Sequence, residues 1–373
     1  MAAQRICIFC GASPEDKNKE HPLPQWLLAL TGDPKRVVRH GYRWSDGKFF
    51  EFSFDSLVFP ACASCNTNYS GFEGYAKEIV EKIGRKEAAS PTEYVHLLDW
   101  LDKVRIGLWL GHRYLQQNPH PPNFAINSRL GAKDRMVAIY TIGDHQKGLN
   151  TWGPESRLFQ VKPSVFALRV NNILFLNASW DYMCASRCGY PFPRRVTYAR
   201  SHPGMLSMSE FRARRKITHP VMPKLMKSCI TLFQPVLQLD ANGSLAGRTQ
   251  DDVDYHLQHA WPGRNGLGPM IRQFSDKSVE IASEDASLEF DSVSLADSNR
   301  TIDIATQAYS LQNESIRRDP NTFDDGSQFE GDPIMKIYAK ENTAVLRALR
   351  DMPLEQFNDL VSQVARRNNP RSS

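Results

Sequence analysis

Four cysteines near the start of the chain form two Cys-x-x-Cys pairs, Cys7 with Cys10 and Cys62 with Cys65. Two such pairs supply the four thiolates of a tetrahedral zinc site, and a structural zinc ion contributes directly to folding. The separation between the pairs exceeds that of a compact zinc finger, so the intervening residues are expected to form a folded insert. The spacing therefore predicts one structural zinc ion.

A second group of polar residues lies beside these cysteines. Glu20 and His21 fall between the two pairs, and Asn66 follows the second pair directly. Histidine suits a general base because its ordinary pKa is near neutrality, whereas carboxylate and amide oxygens suit a hard cation such as Mg²⁺. Adjacent residues on a strand point to opposite faces, so joint use of Glu20 and His21 needs a bend. Pro22 and Pro24 are compatible with such a bend.

These motifs together resemble the zinc-knuckle branch of the HNH endonucleases over roughly residues 5–75. The resemblance lies in Cys7-Ile-Phe-Cys10-Gly11, in Glu20-His21-x-x-Pro24-x-Trp26-Leu27 and in Cys62-Ala-Ser-Cys65-Asn66. Tyr69-Ser70-Gly71-Phe72-Glu73 and a later helix with Trp100-Leu-Asp-Lys103 are similar to segments of its members.

The resemblance implies a ββα-metal nuclease that hydrolyses phosphodiester bonds of DNA, with a role in bacterial restriction or phage defence. His21 would be the general base, and Glu20 and Asn66 would hold a catalytic Mg²⁺ or Mn²⁺ ion. Glu73 would be an extra ligand or a support for the histidine. The four cysteines would bind the structural zinc.

One departure from the family pattern leaves other functions open. The middle Asn of the family would fall at Leu57, next to Asp55 and Ser56, and no Asn is there. Asp55 or Ser56 could take over its bracing role. Otherwise the chain is a zinc module with a degenerate site that binds nucleic acid or protein. A third reading is an effector subunit whose central or C-terminal region binds a protein partner or a small-molecule signal.

Charge is unevenly distributed in a chain whose formal net charge is +5. Basic residues concentrate in residues 187–227, and acidic residues concentrate in residues 275–303. The basic stretch is typical of a phosphate contact, although an ordinary solvated surface would look the same. The candidate nucleic-acid contacts are Arg194, Arg195, Arg212, Arg214, Arg215 and Lys216.

The remaining three cysteines, Cys184, Cys188 and Cys229, are interpreted as packing residues rather than as part of a second metal site. A composition of 41% hydrophobic residues, without a long apolar run, favours a globular protein outside the membrane. The odd number of cysteines and the absence of a leader-like N-terminus favour a cytoplasmic location.

The periodicity predicts an α+β fold in four parts. The resemblance implies that residues 1–85 form the ββα-metal or treble-clef zinc module, and the periodicity predicts a helix and an antiparallel sheet in residues 86–230. Residues 231–303 are predicted to be irregular and linker-like, and residues 304–373 helical. Helices are predicted from Asn66 to Ile83, from the capping box at Ser90 to before Asn118, and over roughly Pro333–Arg367. The predicted sheet strands are Met136–Tyr140, Leu158–Val161, Val165–Val170 and Ile173–Leu176.

Overall fold

The N-terminal region pairs two very short strands around a long insert. In the computed structural model, β1 (Lys19–Glu20) is antiparallel to β4 (Phe59–Pro60). The insert contains helix α1 (Gln25–Leu30) and a hairpin of β2 (Val37–Arg43) and β3 (Lys48–Ser53). Helix α2 (Ala63–Gly84) follows the second cysteine pair. The structure describes residues 6–14, 18–43, 48–116, 122, 124–142, 147–190, 192, 195–198, 206–209, 227–236, 266–291, 301–317 and 333–351.

Helix α3 (Pro91–Leu115) connects this region to the rest of the protein. The predicted capping box is present, because Ser90 Oγ accepts from the Glu93 backbone N–H and the Glu93 carboxylate accepts from the Ser90 N–H. Most of the helix is buried, as expected of an element that has protein on more than one side.

A seven-stranded antiparallel sheet forms the centre, with the strand order β13-β12-β11-β5-β8-β7-β6. Its strands are β5 (Arg135–Thr141), β6 (Leu149–Trp152), β7 (Val165–Val170), β8 (Ile173–Ser179), β11 (Ile230–Gln234), β12 (Ile271–Gln273) and β13 (Val279–Ile281). The other described elements are α4 (Arg157–Val161), α5 (Ala185–Cys188), the pair β9 (Arg195–Tyr198) and β10 (Leu206–Ser209), α6 (Thr301–Arg317) and α7 (Pro333–Asp351).

Both faces of the sheet are covered. Val137 and Ile139 of β5 join the apolar cluster of α2, α3 and the N-terminal region, whereas Met136, Ala138 and Tyr140 join a second cluster with α6 and α7. Alternate residues of a strand point to opposite faces, so β5 is apolar throughout instead of alternating with polar residues. The mixed helices and antiparallel sheet confirm the predicted α+β class.

A buried ion network attaches α3 to the sheet. Arg105 donates to Asp102 at 2.6 Å, and Asp102 also lies 3.2 Å from the Arg135 guanidinium on β5. All three side chains are completely buried. Loss of one member would leave a buried charge without its partner, a change that typically costs about 3–5 kcal/mol. This network therefore fixes the position of α3 over the sheet.

Two expectations about secondary structure were wrong. Leu158–Val161 was predicted to be a strand but lies in helix α4, where Ser156 caps the helix by accepting from the Phe159 N–H. The region 231–303, predicted to be irregular, supplies β12, β13 and most of β11 to the central sheet. These strands are short, so their periodicity in the sequence is weak. The predicted final helix is described as far as Asp351, and its remainder lies outside the described residues.

Two glycines allow α3 to approach the N-terminal strands closely. A Cβ atom on Gly107 would lie 3.0 Å from Pro22 Cβ, and one on Gly111 would lie 2.9 Å from Phe59 Cζ. With Lys103, these glycines repeat at four-residue intervals and share one face of the helix. That face is the one that packs on β1 and β4.

We expect Gly107→Ala to destabilise the protein by about 1–2 kcal/mol, because overpacking against the rigid Pro22 ring outweighs the higher helix propensity of alanine. Gly71→Ala on α2 is the matched control, since no atom lies within 4 Å of the added Cβ. The control should gain about 0.5–1 kcal/mol. Urea unfolding of both variants would measure the difference, and equal effects of the two substitutions would contradict the close packing.

Candidate metal and catalytic site

Cys7, Cys10, Cys62 and Cys65 converge on one point. Their sulfur atoms all lie within 4.8 Å of one another, and Cys10 Sγ is 3.8 Å from Cys62 Sγ. Four sulfurs at about 2.3 Å from a central zinc would be about 3.8 Å apart in a tetrahedron. The donor set and spacing fit zinc, so the predicted cysteine cluster is confirmed as a possible metal site.

Backbone geometry brings the two pairs together. After Cys10 the chain turns through Gly11, whose φ of +76° favours glycine, and the Gly11 N–H donates to the Cys7 carbonyl. The Ile8 N–H donates to the Pro60 carbonyl, which fixes the first pair beside β4. Cys62 is the N-cap of α2, so the second pair lies where a helix dipole stabilises negative charge.

The thiol pKa values fit a cluster that a bound cation would stabilise. Burial raises the pKa of Cys65 to about 11, and the neighbouring thiols Cys7 and Cys10 contribute in the same direction. Burial also opposes ionisation of Cys7, but backbone N–H donors outweigh it and lower the pKa of that thiol. Four thiolates this close repel one another, and a divalent ion would remove that repulsion.

Glu20 and His21 lie where β1 ends. Glu20 is paired with Phe59 of β4, and the strand stops before His21 and the buried Pro22. Trp26 packs against Trp100 with ring centroids 5.6 Å apart, which anchors α1 to α3. The short strand and this anchored helix provide the bend that the sequence required at the Glu20–His21 step.

The surroundings of His21 favour a neutral imidazole. Burial and then repulsion from Lys103 lower its pKa, and they outweigh the opposite effects of Asp55, Glu73 and the Leu57 backbone. Gln25, four residues further along the chain at the start of α1, has its side-chain nitrogen 2.9 Å from His21 Nε2 and so restrains the ring. A neutral, restrained imidazole can accept a proton near neutral pH.

Lys103 of α3 holds the two carboxylates of the site. Its ammonium is completely buried, lies 2.6 Å from Glu20 Oε1 and also forms an ion pair with Glu73 of α2. The pKa of Glu73 is raised, because burial outweighs the attraction of Lys103. Both carboxylates therefore converge on the Lys103 ammonium.

The two residues proposed as replacements for the family Asn differ in position. The Asp55 carboxylate is close enough to His21 to raise its pKa. Ser56 Oγ instead donates to the Ser53 carbonyl at 2.7 Å. Leu57 itself is buried, and its backbone faces His21. Asp55 is thus the side chain in a position to influence the histidine.

Asn66 lies on the same side of the site. It is in the first turn of α2, and its side-chain nitrogen is 3.5 Å from the Lys19 carbonyl, next to Glu20. The structure therefore places Glu20, His21, Asn66 and Glu73 near one another, and their catalytic and metal-binding roles stay predictions. Lys103 and Gln25 belong to no motif of their own in the sequence, although the four-residue spacing of Gln25 from His21 is a usable signal.

The proposed nucleic-acid contacts cannot be placed in the same way. Arg195 begins β9, but its side chain is outside the described part of the chain, as are Arg194, Arg212, Arg214, Arg215 and Lys216.

Cys184, Cys188 and Cys229 are buried, and Cys184 donates to the Asp134 carboxylate, in agreement with a packing role. Among the described helices, none combines the length and apolarity required to cross a bilayer.

Comparisons of the chain with protein-family models, with curated proteins and with solved structures returned no match. Its function is therefore inferred from the site itself.

Proposed function

We propose that this protein is a metal-dependent endonuclease of the HNH type that hydrolyses phosphodiester bonds of DNA. The observation that carries the proposal is the convergence of Glu20, His21 and Asn66 beside a four-cysteine cluster. A neutral histidine, oxygen ligands and a zinc-stabilised scaffold are the parts that one-metal phosphodiester hydrolysis requires.

His21 would act on water. Its neutral imidazole takes a proton from the water molecule as the water oxygen attacks phosphorus, and the leaving sugar oxygen departs from the opposite side. The nitrogen that takes the proton would be the one not engaged with Gln25, and the Asp55 carboxylate would stabilise the imidazolium that forms. Such a base typically contributes about 10²–10⁴-fold to the rate.

The oxygen ligands fit a hard divalent cation. Glu20 and Glu73 already converge on a single positive charge, and Asn66 lies beside Glu20. When bound there, Mg²⁺ or Mn²⁺ would supply Lewis-acid stabilisation of the negative charge on the phosphate. The role of Glu20 and Asn66 is to hold that ion next to His21.

The direct test is cleavage of supercoiled plasmid by zinc-loaded protein with added Mg²⁺ or Mn²⁺. The proposal expects nicked or linear DNA that depends on the added metal and disappears when EDTA is in excess. Folded, zinc-loaded protein that leaves plasmid, linear and single-stranded DNA intact at millimolar Mn²⁺ would contradict it.

A zinc module that binds nucleic acid without cutting it is the second candidate. It is favoured by Leu57 at the position of the family Asn and by the engagement of both carboxylates with Lys103. This candidate predicts a salt-dependent shift of DNA in an electrophoretic assay together with no cleavage under any metal condition.

The pH dependence of cleavage should reflect the depressed pKa of His21. The base is active when neutral, so the rate is expected to rise with pH through a midpoint below the ordinary histidine value of about 6.5 and to level off by neutrality. Initial rates between pH 5 and 8 at saturating Mn²⁺ would measure the midpoint. A rate that keeps rising tenfold per pH unit above pH 7 would instead assign the titration to metal-bound water or to another base.

A further inference from the structure

The four thiols of the cysteine cluster differ in their exposure to solvent. Cys7 is completely buried, and its sulfur accepts from the Cys62 backbone N–H at 3.3 Å. Cys62 and Cys65 are half-buried, whereas Cys10 is exposed and begins an exposed stretch that continues to Ser13. The oxidation of thiolates follows their accessibility to the oxidant. Cys10 is therefore the member of the cluster that a dissolved oxidant reaches first.

A thiol from the other Cys-x-x-Cys pair lies beside Cys10. The sulfur atoms of Cys10 and Cys62 are 3.8 Å apart, although the two residues are 52 positions apart in the sequence. Cys62 is the N-cap residue of α2, where the helix dipole favours a thiolate, and the thiolate is the form that attacks another sulfur. Cys62 is thus placed to react with an oxidised Cys10.

We propose that Cys10 is an oxidation site and that hydrogen peroxide converts the cysteine cluster to a form with a Cys10–Cys62 disulfide. The Cys10 thiolate attacks one peroxide oxygen, the O–O bond breaks and hydroxide leaves, so Cys10 becomes a sulfenic acid. The Cys62 thiolate then attacks the Cys10 sulfur, the S–O bond breaks and a second hydroxide leaves as the disulfide forms. The two thiolates lose the two electrons that the peroxide gains.

This disulfide replaces one link between the two cysteine pairs with another. It takes one thiolate from each pair, and the two that remain, Cys7 and Cys65, do not complete the four-coordinate site of a structural zinc ion. The disulfide still joins the first pair to the start of α2, as a zinc ion bound to both pairs would. The oxidised protein is therefore expected to lose its zinc and to keep β1 beside β4. The inference depends on zinc in the cysteine cluster and not on the proposed nuclease activity.

The test is the addition of hydrogen peroxide to full-length, zinc-loaded protein. A chromogenic chelator should detect the release of one zinc ion per chain, and peptide mass spectrometry without reduction should find Cys10 joined to Cys62. Amide hydrogen exchange should remain slow in β1 and β4, and dithiothreitol with added zinc should restore the metal content. A disulfide within either Cys-x-x-Cys pair, or zinc that stays bound in excess peroxide, would overturn the proposal.

A Cys10→His variant tests which thiol is attacked first. Three cysteines and one histidine form an ordinary structural zinc site, so this variant should bind zinc but release it about tenfold more slowly in peroxide, because the exposed thiol is gone. Cys229→Ser is the control, since Cys229 is buried beside Thr141 and outside the cluster, and its zinc release should match the wild type. Release from Cys10→His at the wild-type rate would overturn the assignment of Cys10. If Cys10→His does not bind zinc, the disulfide mapped in the wild-type protein decides the question.

Discussion

Replacing His21 with alanine is expected to lower the rate of plasmid cleavage by about 10²–10⁴-fold, the usual contribution of a positioned general base. The imidazole is restrained by Gln25 and kept neutral by burial and by Lys103. After the substitution, no described side chain takes the place of the imidazole as a base. The proposed metal site should remain, because the substitution does not remove Glu20, Asn66 or Glu73. Initial rates of nicking at saturating Mn²⁺ measure the effect.

The matched control is His96→Ala. His96 is on α3, where its ring stacks on Tyr75 at 5.5 Å between centroids, away from the Glu20–His21 step in the sequence and on a different element. This variant should cleave at close to the wild-type rate. Similar rates for wild type and His21→Ala, at equal zinc content and Mn²⁺ affinity, would show that another group is the base.

Removal of the zinc is expected to have the largest effect on stability. Structural zinc sites contribute about 10–16 kcal/mol of apparent binding free energy in small zinc domains. Here β1 and β4 have two residues each, so their hydrogen bonds alone cannot hold the N-terminal region together. Cys10→Ser, or treatment with a strong chelator, should therefore unfold residues around the cysteine cluster. The sheet, with apolar clusters on both faces, should remain folded.

Metal content and hydrogen exchange test this expectation together. Wild-type protein should contain one zinc per chain, whereas Cys10→Ser should lose most of it and lose amide protection in β1, β4 and the start of α2. Cys229→Ser is the control, because Cys229 is buried beside Thr141 and outside the cluster. The control should keep its zinc. Full protection of the N-terminal region in a zinc-free Cys10→Ser protein would disprove the structural role.

The same two experiments separate the functional candidates. A zinc-dependent fold with His21-dependent cleavage is the pattern that the nuclease predicts. A zinc-dependent fold that binds DNA and never cuts is the pattern of the binding module. Because Cys10 and His21 belong to the same small region, each variant must be compared at matched zinc content. A variant that loses both zinc and cleavage is then impaired in folding. A variant that keeps its zinc but loses cleavage is impaired in the chemical step.

Features set by neighbouring residues could be predicted from the sequence. The Cys-x-x-Cys pairs predicted the cysteine cluster, and the capping box at Ser90 and Glu93 predicted the start of α3. The apolar runs of β5, β7 and β8 gave the core of the sheet. In each case the signal arises from side chains a few residues apart, whose local contacts the chain order alone determines.

The wrong predictions arose where such local signals were weak. Leu158–Val161 has the composition of a strand, but Ser156 caps it as a short helix that packs on α3. Strands β12 and β13 have three residues each, too few to show a period. Their place in the sheet depends on pairing with β11, a strand distant in the sequence.

The sequence by itself determined the four-cysteine cluster, the candidate base and the α+β class, because these depend on residue type and short spacing. Only the tertiary structure decided which charges meet. Glu20 and Lys103 are 83 positions apart and were joined by the close packing of α3 on β1 and β4. The ionisation of His21 follows from that packing, since burial and Lys103 together lower its pKa. Electrostatic effects depend on distance and dielectric in space, and neither quantity can be read from the order of residues along the chain.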